Sequence, residues 1–152
     1  MFRNLFLSSL FLFAFSCSET SIDKANDAYL KETINYQSKN IYGFENLFDG
    51  RITSQVDQNV FGVLHFPNNY DASRQYPLVI ASHGSSNWRD HHRRYLEQMR
   101  QADYLVFAIH PFDSRDVSST VGNQINVTSE TVIYDMAQAL NLMSKDSRVD
   151  NQ

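Results

Sequence analysis

Two runs of uninterrupted apolar residues, Leu78-Val79-Ile80-Ala81 and Tyr104-Leu105-Val106-Phe107-Ala108-Ile109, constrain the fold more than anything else in this chain. Neither alternates between apolar and polar. A strand apolar on both faces has to be covered on both faces, the condition of a parallel sheet held between helices. Between the runs, Asp90 can cap a helix in which Tyr95, Leu96, Met99 and Ala102 form one apolar stripe. Arg93, Arg94, Glu97 and Arg100 then face water. Strand, helix, strand is a βαβ unit, expected to cross over right-handed between parallel strands.

The same alternation continues downstream. After a polar, irregular stretch from Pro111 to Asn126, Thr128 or Ser129 caps a second helix, with Glu130 favourably placed near its N-terminus. Val132, Met136, Ala139, Leu140 and Met143 form its core-facing stripe, and Lys145 sits at its C-terminal end. The order β-α-β-α predicts another parallel strand next, but Asp146 to Asp150 reads as the start of a loop. Upstream, Val60 to Phe66 reads as a strand ending at Pro67. Ile52, Ser54 and Val56 alternate as a half-buried strand would. Turn signals at Phe48-Asp49-Gly50 and Asp57-Gln58-Asn59 make these two an antiparallel opening to the sheet. Before them, Ile22, Ala25, Tyr29, Thr33 and Tyr36 recur at helical steps, giving a weak amphipathic helix or, equally, a tether. The 152 residues suit one domain and carry no internal repeat.

The first residues read as an export signal. Met1 and Arg3 precede Leu5 to Phe15, almost wholly apolar. That run is too short to span a bilayer, which needs roughly twenty residues. Cys17 is the single cysteine and so has no disulfide partner in the chain. The stretch Ala14-Phe15-Ser16-Cys17 resembles the lipobox of bacterial lipoproteins, with Ala14 where leucine is usual. The resemblance implies that Cys17 is acylated and becomes the mature N-terminus, bound to a membrane surface in the bacterial cell envelope. Ordinary secretion, periplasmic or beyond, is the alternative. The expected organisation is residues 1–16 as signal peptide, 17–50 as lipid-anchored N-terminal segment or tether, and 51–152 as the folded domain. A net charge of −4 argues against a nucleic-acid partner, which would call for a basic face.

Chemistry concentrates where the first apolar strand ends, in His83-Gly84-Ser85-Ser86. In an open α/β sheet, the carboxyl ends of the strands border the ligand crevice. Gly84 is read as allowing a tight turn, after which backbone N–H groups can face a developing oxyanion. A simple turn is the plainer account. His110 ends the second strand on the same side, as a substrate contact or a structural histidine. His83, His91 and His92 do not make a metal site, because adjacent histidines at a helix start rarely converge on one ion and no acidic cluster completes a shell. Asp135 either orients a neighbouring loop or faces water.

Residues Phe61 to Met143 resemble the α/β-hydrolase superfamily, most closely its dienelactone hydrolase-like branch. The matching pieces are Tyr76-Pro77-Leu78-Val79-Ile80-Ala81-Ser82-His83-Gly84, the strand Tyr104 to Ile109, Phe112-Asp113-Ser114-Arg115, and Tyr134-Asp135-Met136-Ala137-Gln138-Ala139-Leu140. This implies the N-terminal portion of an α/β-hydrolase three-layer sandwich with a mostly parallel sheet. The Leu78 strand would lie between the Tyr104 strand and a further one. It also implies a small-molecule ester substrate, no cofactor and no metal. Gly84 and Ser85 become the oxyanion-hole candidates, Ser85 through its backbone N–H. His83, His110 and Arg115 become possible pocket residues, Arg115 in a structural or pocket-edge role. None of the five glycines stands in a Gly-x-Ser-x-Gly elbow. The chain is therefore expected to be truncated before the nucleophile strand and inactive as it stands, with nucleophile, acid and catalytic histidine absent. The alternative is a non-catalytic, lipid-anchored remnant or interaction module.

Overall fold

The computed structural model describes residues 30–49 and 51–151. The signal-type run, Cys17 and the Ile22–Tyr29 part of the amphipathic stretch lie outside the described residues. Four strands make one sheet: β1 (Lys31–Lys39), β2 (Asp57–His65), β3 (Leu78–Ala81) and β4 (Leu105–Ile109). Their order across the sheet is β1-β2-β4-β3. β1 with β2 and β2 with β4 pair antiparallel, whereas β3 and β4 pair parallel. A one-turn helix, α1 (Phe44–Phe48), lies in the β1–β2 connection. Helix α2 (Asp90–Gln101) is the crossover from β3 to β4, and α3 (Ser129–Met143) follows β4.

β4 is the centre of the molecule and all five of its residues are buried. Its alternation splits them between two cores. Leu105, Phe107 and Ile109 meet Ala139 and Met143 of α3, together with Val60 and Leu64 of β2. Val106 and Ala108 face the other way and meet Leu96 of α2. The result is helix, sheet, helix, the three-layer arrangement expected from the two apolar runs. Gly62 on β2 lets the central ring in, because a Cβ there would overlap Phe107, 2.7 Å from its Cε1.

Residues 31–39 form a strand rather than a helix. Ile34, Tyr36 and Ser38 point inward while Thr33, Asn35 and Gln37 stay exposed, a period of two that the polar composition hides. The sheet therefore draws on residues placed in the tether by the sequence reading. β1, not the Ile52–Val56 segment, is the antiparallel partner of β2. Arg51–Ser54 instead forms a 3-10 turn, with Gln55 N–H on Ile52 O at 3.1 Å. β2 already starts at Asp57, so these residues have to make the connection, and Asp57–Asn59 belongs to the strand rather than to a turn.

Both helices rotate somewhat from their expected stripes. On α2, Leu96 and Arg100 are buried, whereas Tyr95 is 61 % exposed and Met99 lies near the surface. Arg100 is inward because Nε donates to Phe66 O at 2.6 Å and its guanidinium pairs with Glu97. The cap of α2 is Arg89 rather than Asp90, and its N–H donates to His92 Nδ1 at 3.0 Å. On α3, Thr131, Asp135, Ala139 and Met143 form the buried stripe, and Leu140 is exposed. Thr128 is its cap, accepting from Thr131 N–H at 3.1 Å.

Past α3 the chain returns to the outer edge of β3. Tyr76 N–H donates to Arg148 O and Asp150 N–H to Tyr76 O, both at 2.9 Å, giving a parallel bridge between Tyr76 and Val149. The Asp146–Asp150 stretch, read as loop from its polarity, thus contains the first rung of the parallel pairing that the β-α-β-α alternation predicts.

Candidate active site

β1 is antiparallel to β2, β2 to β4, and β4 is parallel to β3. The carboxyl ends of β1, β3 and β4 therefore share one edge of the sheet, where the N-terminus of α3 also arrives. The loops after β3 and β4 meet there: Ser85 O accepts from Thr120 N–H and from Ser119 Oγ, each at 2.9 Å. A cleft of about 240 Å³ opens at this meeting point, with His83, Gly84, Ser85, Phe112, Thr128 and Ser129 in its wall.

The loop from His83 turns through Asn87, whose N–H donates to Gly84 O at 3.0 Å. Asn87, not Gly84, takes the left-handed conformation, at φ 65°. Gly84 has an ordinary φ, and a Cβ there would meet nothing within 4 Å. The turn does not require the glycine; it leaves open space directly above the backbone. Among the described residues, the N–H groups of Gly84, Ser85 and Ser86 have no hydrogen-bond partner. These are donors of the kind an oxyanion needs.

His83 is buried against Phe112 and Trp88, edge to face at 4.5 and 5.5 Å between ring centres. Its Nδ1 lies 2.8 Å from Gly84 O, and because a carbonyl only accepts, this nitrogen carries the proton. Its Nε2 is buried with no partner among the described residues. Burial holds the imidazole below its usual pKa, against the pull of the Gly84 carbonyl and Asp113. His83 is thus a neutral group that stiffens the loop.

His110 and Arg115, placed with His83 by the sequence, go elsewhere. His110 stacks on Phe61 at 4.9 Å and faces the α2 side of the sheet. Its Nδ1 is 2.7 Å from Asp113 Oδ2, and Asp113 Oδ1 accepts from Asn87 Nδ2 at 2.7 Å. Burial opposes the Asp113 charge, but the bonds from His110 and Asn87 outweigh it and hold this carboxyl below the usual range. Asp113 and Asn87 therefore tie the two crevice loops together. Neither was singled out from sequence; the His-x-x-Asp spacing after a buried strand is the signal that marks Asp113.

Arg115 does not line the cleft. Its guanidinium reaches both oxygens of Asp135, at 2.7 and 3.0 Å, along with Asn40 Oδ1 at 2.7 Å and Pro111 O at 2.9 Å. Ser38 Oγ also donates to Asp135. Burial pushes the Asp135 carboxyl up, against the Arg115 and Ser38 bonds. It also pushes the neighbouring Tyr36 phenol up, with the Asp135 charge adding to the effect. Of the two accounts open for Asp135, the one in which it orients a loop holds. The pair fixes the frame behind the cleft. Among the described residues no group of three or more His, Cys, Asp or Glu is arranged to hold a metal ion, and no helix is long and apolar enough to cross a membrane.

No family model and no curated protein matches this chain. Among solved structures it is similar to a protein assigned as a dienelactone hydrolase from Klebsiella pneumoniae, at 15% identity and a TM-score of 0.47. That likeness covers 78% of this chain and 46% of the other. A protein named m3DLH is similar at 16% identity and TM-score 0.47, over 80% of this chain and 46% of that one. The hypothetical protein PA2218 from Pseudomonas aeruginosa gives 16% identity and 0.41, over 79% and 32%. The chain spans less than half the length of each of these structures.

Proposed function

We propose that this chain carries the oxyanion-binding part of an ester hydrolase of the dienelactone hydrolase type. One observation supports it above the others: among the described residues, three successive N–H groups, of Gly84, Ser85 and Ser86, stand unpartnered past the carboxyl end of half-buried β3, beside the N-terminus of α3. Donors fixed in advance at such a place stabilise the tetrahedral intermediate of acyl transfer. Neutral His83 holds the loop without adding charge. The sequence contains no Gly-x-Ser-x-Gly, so the nucleophile, acid and base are assigned to residues outside these 152. They would sit on a strand laid along the outer edge of β3, where Val149 already pairs with Tyr76. A small-molecule ester is the substrate, and acylation of Cys17 holds the protein at a membrane surface.

The first test is to follow the reading frame beyond the codon for Gln152. The expected result is an elbow within a few residues, and a longer protein that hydrolyses p-nitrophenyl butyrate while the 152-residue chain does not. In that longer protein, Ser85→Pro removes one donor and lowers kcat about 10²–10³-fold, whereas Ser85→Ala leaves it unchanged. Saturable turnover by the 152-residue chain, or a frame closing with no elbow, would overturn the assignment. For the anchor, palmitate label in the membrane fraction should vanish with Cys17→Ser; label persisting in that variant would refute it.

A further inference from the structure

On the α2 side of the sheet, α2 packs against β4, and among the described residues Phe61, Val63 and His65 of β2 stay half-buried beside it. A groove of about 480 Å³ runs there, within the roughly 300–1,000 Å³ of small-molecule sites. Its apolar lining is Val63 of β2, Ala108 of β4, Leu96 of α2 and Trp88. The charged groups in its wall are all cationic or imidazole: Lys31, Arg93, His65 and His110. No carboxylate lines it, and neither Lys31 nor Arg93 pairs with one among the described residues.

An inorganic anion would answer the cations and leave the floor wet. A neutral apolar body would do the reverse. Both demands are met by one molecule with a carboxylate head and an unbranched apolar tail. We propose that this groove binds a single-chain carboxylate, the anion of a medium-chain fatty acid, with Lys31 and Arg93 taking the head group and Val63, Trp88, Leu96 and Ala108 taking the tail. The site lies on the face of the sheet away from the Ser85 cleft and does not depend on the hydrolase assignment. The state of His65 agrees with it. Burial first, then the nearby charges of Arg100, Lys31 and His110, pull its pKa down to about 4.

Trp88 is the only tryptophan in the chain, so its fluorescence reports this groove directly. The test is to titrate the 152-residue chain with decanoate below its micelle concentration, following Trp88 emission and the His65 ring resonances. The expected result is a saturable emission change, with the His65 pKa rising by about one unit or more when the head group binds. Lys31→Glu and Arg93→Glu, both on the surface, should each weaken decanoate at least tenfold while the melting temperature holds. Decanol should bind at least tenfold more weakly than decanoate. No saturable response, equal binding of decanol, indifference to both charge reversals, or an unmoved His65 would each overturn the proposal.

Discussion

Single residues decide more here than their types suggest. Gly62 matters for the side chain it lacks, because the Phe107 ring occupies that space and is itself buried. Gly62→Ala should cost about 1–3 kcal/mol as the ring or strand moves, read as a lower urea midpoint at unchanged slope. Gly84→Ala, with nothing near its Cβ, should stay within about 0.5 kcal/mol of the parent. A matching pair of losses would refute this contrast. Asp135→Ala leaves the Arg115 guanidinium buried without its carboxylate and should cost about 3–5 kcal/mol, whereas Arg115→Met with Asp135→Leu should recover much of it. Thermal melts of the three proteins check the order. Arg115 and Asp135 were each visible in the sequence as candidates, but their partnership was not. They lie on separate elements, and nothing local tells a buried carboxylate from a solvated one on a helix that has polar residues on several faces.

At the scale of elements, the sequence was most legible where apolar residues run together or recur at a helical step, although β3, expected to be covered on both faces, is only half-buried. β3, β4 and α3 appear within a residue or so of where their apolar patterns put them. β1 was not legible because Lys31–Lys39 has only Ile34 and Tyr36 as apolar side chains among seven polar ones. Its strand character comes from pairing with β2, a tertiary cause that no local period carries. The hydrogen bonds at the start of α3 show the same non-local control. Thr128 caps Thr131 N–H, and Oγ1 of both residues donates to Ile41 O, beyond the end of β1. Thr128→Ala should therefore cost more than the ~1 kcal/mol of an isolated cap. Ser129→Ala, which removes no side-chain hydrogen bond seen among the described residues, should cost well under half as much in the same denaturation series.

The fold lowers the pKa of three imidazoles, His65, His83 and His92 at the start of α2. Each binds its proton less readily folded than unfolded, where the pKa is about 6.5. The unfolded chain thus holds more protons below neutrality, and stability is lost as pH falls from about 7 towards 4. The melting temperature should drop across that window, and His65→Gln should flatten part of the slope; a flat profile in the parent would contradict the neutral assignments. The outer edge of β3 is a second global property. Beyond the Tyr76–Val149 rung, Leu78–Ala81 has no partner on that side among the described residues. Such an edge invites other strands, so sedimentation velocity of the 152-residue chain should show self-association rising with concentration. A single concentration-independent monomer would count against it.

The strand order also sets a timetable. In space β4 lies between β2 and β3, yet it is the last of the four to be made. The β1–β2 hairpin can close as soon as His65 is synthesised. Its inner flank, Gly62 included, then waits for Leu105–Ile109, with β3 and α2 still to be translated. At about 5–20 residues per second that is an interval of roughly 2–8 s. During it, a two-stranded ribbon must stay unattached, holding a place for a ring that has not yet been made.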